Sequence, residues 1–225
     1  MQNPRLPWVR PNGHILFVNR RRFAVLIVAS LAATLTHPFR AVAQDEFALD
    51  AARLTKALKL TAGQTVGDIG AGAGQLTVAL APVIGPTGRL YATELDSGRL
   101  RDIRRAAASA GLKNVTVLEA HATRTSLPDR CCDALILRYV YHHIKNPVLM
   151  NQSLFRSLKP GGRLAIIDFP PDSAESADPT GRSEGAQHGV SPPTVVQELR
   201  QAGFELVIVE ERTATRGFMV VMRRP

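Results

Sequence analysis

Apolar and polar positions alternate in short blocks from about residue 46 to residue 222, and the blocks predict helices and strands in turn. Apolar runs bounded by turn residues predict strands at 65–69, 89–94, 115–119, 133–139 and 163–168. Helical periodicity predicts helices at 46–58, 75–83, 97–110, 147–158 and 192–202. This βα alternation is typical of an α/β fold in which helices cover both faces of a parallel sheet.

The segment 170–193 interrupts this pattern. It is rich in Pro, Gly, Ser and acidic residues and has no apolar periodicity. It follows the carboxyl end of a predicted strand, the edge where open α/β sheets bind ligands. We therefore expect a lid or insert loop that contacts substrate, with a disordered loop as the alternative.

A glycine-rich turn follows the first predicted strand. Asp68 comes at the end of that strand, and Gly70, Gly72 and Gly74 then read G-x-G-x-G before a predicted helix. Such glycines allow a tight strand-to-helix turn and close approach of a ligand to the backbone. The second strand ends in Glu94, whose carboxylate can accept hydrogen bonds from both hydroxyls of a ribose.

The spacing of the glycines distinguishes between two nucleotide cofactors. A dinucleotide fold requires G-x-G-x-x-G, and here Gln75 stands at the position of the third glycine. Asp68 would oppose a pyrophosphate but suits a cationic ligand. The turn therefore favours S-adenosylmethionine, whose amino and sulfonium groups are positive, over NAD.

Three further motifs follow in order, at residues 119–123, 127–144 and 158–168. With the glycine turn, they make residues 47–222 resemble the class I S-adenosylmethionine-dependent methyltransferases. The similarity is to the small-molecule branch that includes the ubiquinone and menaquinone biosynthesis enzymes and carries a methyltransferase type 11 domain. The resemblance implies a Rossmann-like, seven-stranded, mostly parallel sheet whose apolar runs 204–210 and 217–222 form an antiparallel C-terminal hairpin.

The resemblance also implies S-adenosylmethionine as cofactor and assigns residues to its site. Family members usually carry an acid at the position of His121, where a neutral histidine could still accept a hydrogen bond from the adenine amino group. Arg138 stands near the methionine end of the cofactor, or alternatively pairs with a surface acid. The implied cofactor-binding residues are Asp68, Gly70, Ala71, Gly72, Gly74, Glu94, Leu95, His121, Ala122 and Arg138.

Methyl transfer from a sulfonium is an in-line displacement, so the protein mainly aligns donor and acceptor. A base is needed only where the nucleophile must lose a proton, and His142 or His143 is the candidate. Alternatively, one of them packs under the next helix and the other binds water. Tyr141, Asp168 and His188 are candidate substrate residues, although Asp168 could instead cap a turn.

The acceptor is expected to be a small molecule with an oxygen or carbon nucleophile. The formal charge of +9 suggests nucleic acid, but six of the 28 basic residues lie in residues 1–43, which contain no acid. The Asn-Pro-Pro-Tyr motif typical of base methylation is missing after the fourth strand, where Asn146 and Pro147 indicate a helix start. We therefore expect no nucleic-acid partner; the oligomeric state is not predicted.

Residues 1–43 resemble an export signal that is cleaved before a single domain at 44–225. Arg20, Arg21 and Arg22 precede an apolar run and a small-x-small cleavage pattern at residues 41–43. The arginines approximate a twin-arginine signal, with an ordinary secretory signal as the alternative. The run of about 13 residues is too short to span a membrane. We expect a periplasmic protein, or a cytoplasmic one if the start is misassigned.

The two cysteines, Cys131 and Cys132, are adjacent. Neighbouring residues rarely meet disulfide geometry, so we interpret them as small apolar residues at the start of a buried strand. A redox or metal-binding pair is the alternative, but no second Cys/His pair lies at ligand spacing, and no metal is expected.

Two other functions compete with catalysis by methyl transfer. The first is a non-catalytic, exported protein that binds S-adenosylmethionine, because the cofactor is made in the cytoplasm. The second is a nicotinamide oxidoreductase, which the glycine spacing and Asp68 disfavour.

Overall fold

The computed structural model describes residues 37–212 and 217–225, and the predicted export signal at 1–43 lies almost entirely outside them. The chain divides after Ala43, and every strand within the described residues belongs to the second unit, Gln44–Pro225. The helices are α1 His37–Leu58, α2 Gln75–Ile84, α3 Ser97–Ser109, α4 Pro147–Ser157 and α5 Pro192–Gln201. The strands are β1 Thr65–Ile69, β2 Arg89–Glu94, β3 Val115–Glu119, β4 Cys132–Arg138, β5 Leu158–Asp168, β6 Glu205–Arg212 and β7 Gly217–Arg223.

The seven strands form one sheet in the order β3-β2-β1-β4-β5-β7-β6. Strands β1 to β5 run parallel, and β7 is antiparallel to both of its neighbours. The predicted Rossmann-like sheet with its antiparallel C-terminal hairpin is therefore confirmed. The strand order changes direction at β1, with β2 on one side and β4 on the other, which is the place where such sheets bind ligands.

Apolar side chains pack on both faces of the sheet, because alternate residues of a strand point to opposite faces. Along β4, Leu135 and Leu137 belong to the cluster that contains α4 and α5 residues such as Leu154. Their neighbours Ala134 and Ile136 belong to the cluster with α1 and α2. Helices on both faces are thus confirmed, and the near-continuous apolar runs of the strands reflect this two-sided burial.

Side-chain caps fix where several helices begin. The Asn146 carboxamide oxygen accepts a hydrogen bond from the Leu149 amide at 3.1 Å, and Pro147 opens α4, so the predicted helix start is confirmed. The start of β5 differs from the prediction: it pairs from Leu158, across a register shift against β4, instead of from residue 163. Gly161 and Gly162 therefore lie in an irregularity within a longer strand.

The segment 170–193 is packed against α5 and contains two short 3-10 helices, Pro179–Ser183 and Gly185–Gln187. Its Arg182 side chain is buried and forms an ion pair with Glu198 of α5 at 2.8 Å. Val190 of the same segment is fully buried. The disordered-loop alternative therefore does not apply, while the role of the segment as a lid stays a prediction.

Cys131 and Cys132 form a disulfide at the start of β4, so the interpretation as two unbridged apolar residues was wrong. Cys132 is buried, as expected for the first residue of this strand. Burial of the strand was predicted correctly, but the two adjacent side chains turn to the same side as the chain enters it.

Among the described residues, no helix has the length and apolar character needed to cross a membrane.

Candidate active site

The chain leaves β1 through a turn in which Gly70 and Gly72 have left-handed backbone conformations, with φ of 70° and 58°. A Cβ atom at Gly70 would lie 2.6 Å from a Cγ of Val140, so a side chain would not fit there without a shift. The Gly70 and Ala71 amides both donate to the Thr93 carbonyl at 2.9 Å. These bonds hold the turn against the end of β2 and leave its outer surface free of side chains.

Glu94 extends from the end of β2 toward this turn. One carboxylate oxygen accepts a hydrogen bond from the Gly72 amide at 2.9 Å, and the other accepts one from the Leu95 amide at 2.8 Å. Each carboxylate oxygen offers two lone pairs, so Glu94 can still accept hydrogen bonds from the two hydroxyls of a ribose. The backbone has already oriented the carboxylate for that contact.

Asp68 lies behind the turn, is almost completely buried, and accepts a hydrogen bond from the Thr77 hydroxyl at 2.6 Å. Burial raises the pKa of Asp68 to about 6, and the nearby charge of Glu94 acts in the same direction. The bond from Thr77 and the charge of Arg138 oppose this rise. A cation in front of the turn would stabilise the ionised carboxylate.

A cleft of about 620 Å³ opens between the glycine turn, the end of β2 and the residues that follow β4. Asp68, Ala71 and Gly74 are not part of its wall; Gly74 instead packs against Ile103 of α3. The sequence-predicted site residues in the wall are Gly70, Gly72, Glu94, Leu95, His121, Ala122, Arg138 and His143.

His121 lines the cleft, but one of its ring nitrogens is already engaged. Its Nε2 lies 2.8 Å from a terminal guanidinium nitrogen of Arg124. A guanidinium can only donate, so Nε2 accepts and a neutral ring carries its proton on Nδ1. The predicted acceptor for the adenine amino group is therefore a donor in this arrangement, suited to an adenine ring nitrogen instead.

Arg138 lies at the other wall of the cleft, where its guanidinium is held by helix α1. It donates to the buried carboxylate of Asp50 at 2.7 Å and forms a second ion pair with Glu46. It also stacks over the rings of Phe47 and Tyr139. Arg138 therefore pairs with two acids, of which Glu46 is at the surface as the alternative predicted and Asp50 is buried. These pairs tie α1 to the sheet beside the cleft.

Tyr141 does not reach the cleft. It begins a 3-10 helix, Tyr141–His143, and only 1% of it is exposed. Its hydroxyl donates to Glu198 at 2.9 Å and accepts from Asn151 at 2.7 Å. The predicted substrate role does not fit this position, because the tight turn after β4 directs the ring into the core between α4 and α5.

The other candidate residues form one histidine cluster. The His142 ring is buried and its Nδ1 lies 2.7 Å from an Asp168 oxygen. The His188 ring, from the 170–193 segment, lies with its centroid 4.7 Å from that of His142 and 6.0 Å from that of His143. Partial burial lowers the pKa of His143 below its ordinary value, and the neighbouring histidines lower it further, against the opposing charge of Asp168.

Some residues of the cleft wall were not predicted from the sequence. Val140, Ile144 and Met150 provide apolar surface in the wall, while Arg99 and Lys145 provide positive charge. Arg99 follows the Asp96 cap of α3 and could have been inferred from that position beside the end of β2. No motif in the sequence marks Lys145.

Comparison with known proteins agrees with this geometry. Residues 67–166 match a family model described as a methyltransferase domain. The chain is 31% identical over 108 residues to the ubiquinone/menaquinone biosynthesis C-methyltransferase UbiE of Enterobacter sp. (strain 638). A protein of the same name from Salmonella arizonae matches equally well. Each match covers 48% of this chain and 43% of the relative, so the chain spans less than half the length of these relatives.

Solved structures extend the similarity beyond the matched residues. An S-adenosylmethionine-dependent methyltransferase from Aquifex aeolicus superposes with a TM-score of 0.68 and 27% identity, covering 78% of this chain and 90% of that one. Geranyl diphosphate C-methyltransferase from Streptomyces coelicolor A3(2) shares the fold, with a TM-score of 0.67 and 13% identity over 79% of this chain and 76% of that one. The sheet order, the glycine turn with Glu94 and these matches together make the chain similar to S-adenosylmethionine-dependent methyltransferases.

Proposed function

We propose that this chain transfers the methyl group of S-adenosylmethionine to a carbon or oxygen nucleophile of a small molecule. The observation that carries the proposal is the cleft at the centre of the sheet. There, the glycine turn exposes backbone, and Glu94 is oriented by the Gly72 and Leu95 amides. A ribose-binding carboxylate beside a backbone surface is what a nucleoside cofactor requires.

The residues of the cleft suit the separate parts of this cofactor. Glu94 would hold the ribose, the Nδ1–H of His121 would donate to the adenine ring, and the buried charge of Asp68 would favour the positive methionine end. When bound, S-adenosylmethionine supplies an activated methyl group to the acceptor. The chain contributes alignment of the two molecules, which can remove about 7–11 kcal/mol from the barrier of a reaction between two molecules.

The end of the cleft near His143 is the place for the acceptor. Val140 and Ile144, which flank His143 along the chain, and Met150 give the wall apolar surface, and Lys145 adds a positive charge. A molecule with an apolar body and a polar or anionic group fits such a surface. The C-methyltransferase names of the UbiE relatives support a carbon nucleophile as the first candidate. The proposed roles of His142 and His143 in proton transfer stay predictions.

Calorimetric titration with S-adenosylmethionine tests the cofactor site. The variant Glu94→Gln removes a charged acceptor, and hydrogen bonds to charged groups contribute about 1.5–3 kcal/mol. We therefore expect affinity to fall about ten- to hundredfold. Glu119→Gln is the matched control, because Glu119 ends β3 directly opposite Glu94 in register but is exposed and outside the cleft wall. Equal affinities in the two variants would refute the assignment.

The second candidate function is a non-catalytic protein that binds the same cofactor after export, and the arginine-rich pattern of residues 20–22 is the observation that favours it. Once calorimetry has shown that the wild-type protein binds S-adenosylmethionine, the protein is incubated with this cofactor and with a panel of small phenols, quinols and enols. Methylated product identified by mass spectrometry supports catalysis, whereas binding without any product supports the alternative.

We propose further that residues 1–43 direct export and are removed after Ala43. The small-x-small pattern at residues 41–43 supports this proposal. Expression of the full chain in a bacterium, followed by fractionation and mass spectrometry of the N-terminus, is the test. A periplasmic product beginning at Gln44 is expected, and an intact cytoplasmic chain would contradict the proposal.

A further inference from the structure

Three histidines from two distant parts of the chain converge beside the cleft. His142 and His143 lie in the 3-10 helix that follows β4, and His188 comes from the 170–193 segment. One ring nitrogen of each lies within 4.8 Å of those of the other two. In a tetrahedral zinc site, with Zn–N bonds of about 2.0–2.1 Å, ligand nitrogens lie about 3.4 Å apart. Small side-chain rotations would therefore bring all three to an ion.

The buried carboxylate of Asp168 fixes the orientation of the His142 ring. It accepts hydrogen bonds from the His142 and Phe169 backbone amides at 3.2 and 3.0 Å. A carboxylate in this role also accepts from the ring, so the His142 Nδ1 at 2.7 Å carries the proton. The Nε2 atom then presents a lone pair. Metal-binding histidines almost always donate their other nitrogen to a carboxylate or carbonyl in this way.

His188 supplies an independent sign of a missing ligand. Its Nε2 atom is buried and makes no hydrogen bond. Buried polar atoms of proteins are bonded in the large majority of cases, so such an atom beside two other imidazoles requires an explanation. The position of His188 is well fixed, since the following Gly189 and Val190 amides donate to the Arg182 and Phe169 carbonyls at 3.0 Å.

We propose that His142, His143 and His188 bind a divalent transition-metal ion of the zinc type, with Asp168 orienting His142. Three imidazole nitrogens suit zinc and its first-row neighbours and do not suit magnesium or calcium, which take oxygen ligands. Three protein ligands also leave one tetrahedral position open, as in catalytic zinc sites. The site borders the cleft through His143, but its existence does not depend on methyl transfer.

The sequence predicts no metal site, because the two cysteines are adjacent and no second pair of ligands lies at a recognised spacing. The fold supplies the third ligand from beyond β5 instead. Segment 170–193 would then have a structural reason to pack against the sheet edge, since the ion would join it to the residues after β4.

Metal binding by the full chain is the test, and no methyl donor or acceptor is present. Protein treated with a chelator is titrated with Zn²⁺ by calorimetry, and with Co²⁺ by visible spectroscopy. Wild type should bind one ion per chain and give the intense d–d absorption of tetrahedral Co²⁺. His188→Gln and His143→Gln should each lose at least about tenfold in affinity, and Asp168→Asn about 10–100-fold, as expected for a carboxylate that orients a metal-binding histidine.

His121→Gln is the matched control, because His121 lines the same cleft but lies outside the cluster, and it should bind zinc like wild type. Circular dichroism and thermal melting establish that each variant is folded. If His142→Gln does not fold, His188→Gln still decides the matter, since His188 is only partly buried. Unchanged zinc affinity in His188→Gln, or loss of binding only when Cys131 and Cys132 are replaced, would overturn the proposal.

Discussion

Replacing Asp68 with asparagine tests how the buried acid of the glycine turn is stabilised. The pKa of Asp68 is about 6 in the folded protein against a reference value of 3.8. Between these values the folded state binds more protons than the unfolded state, so stability falls as the pH rises. The full loss is about 3 kcal/mol above pH 6, and about half of it falls between about pH 5 and pH 7.5.

The carboxamide in the Asp68→Asn variant does not titrate, so the difference in unfolding free energy between wild type and variant isolates this carboxyl group. Urea unfolding of both proteins at several pH values measures that difference. We expect the stability of the variant to rise by about 1–2 kcal/mol relative to wild type from about pH 5 to pH 7.5, in addition to any pH-independent cost of the amide. Thr77→Val, with Asp68 retained, removes a hydrogen bond that lowers the pKa of Asp68. The pH range over which this variant loses stability should therefore lie higher than in wild type. A difference that does not change with pH would refute the reasoning.

Two further variants test the positions of site residues. Gly70→Ala should destabilise the domain by about 2–5 kcal/mol, because the residue has a left-handed backbone and its new Cβ would contact Val140. Gly161→Ala is the comparison, since Gly161 also has a left-handed backbone but a Cβ there meets no atom within 4 Å. It should cost only the backbone contribution of about 1–2 kcal/mol. Thermal melts compare the two, and similar losses would contradict the contact. Tyr141→Phe should cost about 1–3 kcal/mol, because it deprives Asn151 of its acceptor, but should leave the KM for any acceptor unchanged. A raised KM without loss of stability would contradict the buried position and support the original prediction that Tyr141 contacts substrate.

The sheet and its helices could be predicted from the sequence because local signals and burial agree. The strand at 65–69 and the cap before α4 were found from patterns that each depend on a few neighbouring residues. The glycine turn and Glu94 were found for the same reason: their spacing is fixed by a single βα unit. Residues whose role depends only on such a unit can be placed without knowing the rest of the fold.

The residues after β4 could not be placed in this way. Tyr139 has a positive φ of 57°, and the 3-10 helix Tyr141–His143 follows at once. Both features break the two-residue alternation of a strand, so the sequence does not show which side chains face the core and which face the cleft. Tyr141 was accordingly assigned to the substrate and is buried. The contact of His188 with this turn depends on the tertiary path of the 170–193 segment, for which no local signal exists.

The order of the strands explains why the cofactor cleft and the histidine cluster are neighbours. The strands β2, β1, β4 and β5 are adjacent in the sheet. Strand β2 ends in Glu94 and β5 ends in Asp168, while β1 leads into the glycine turn and β4 into His142 and His143. Parallel strands bring these ends to one edge, and the reversal of strand order at β1 opens the space between them. Val140 fills the place that a Gly70 side chain would occupy, so the turn that serves the cofactor also supports the segment that carries the histidines. The two sites therefore share the contact between Gly70 and Val140, and a substitution at Gly70 should weaken binding of the cofactor and of the metal ion.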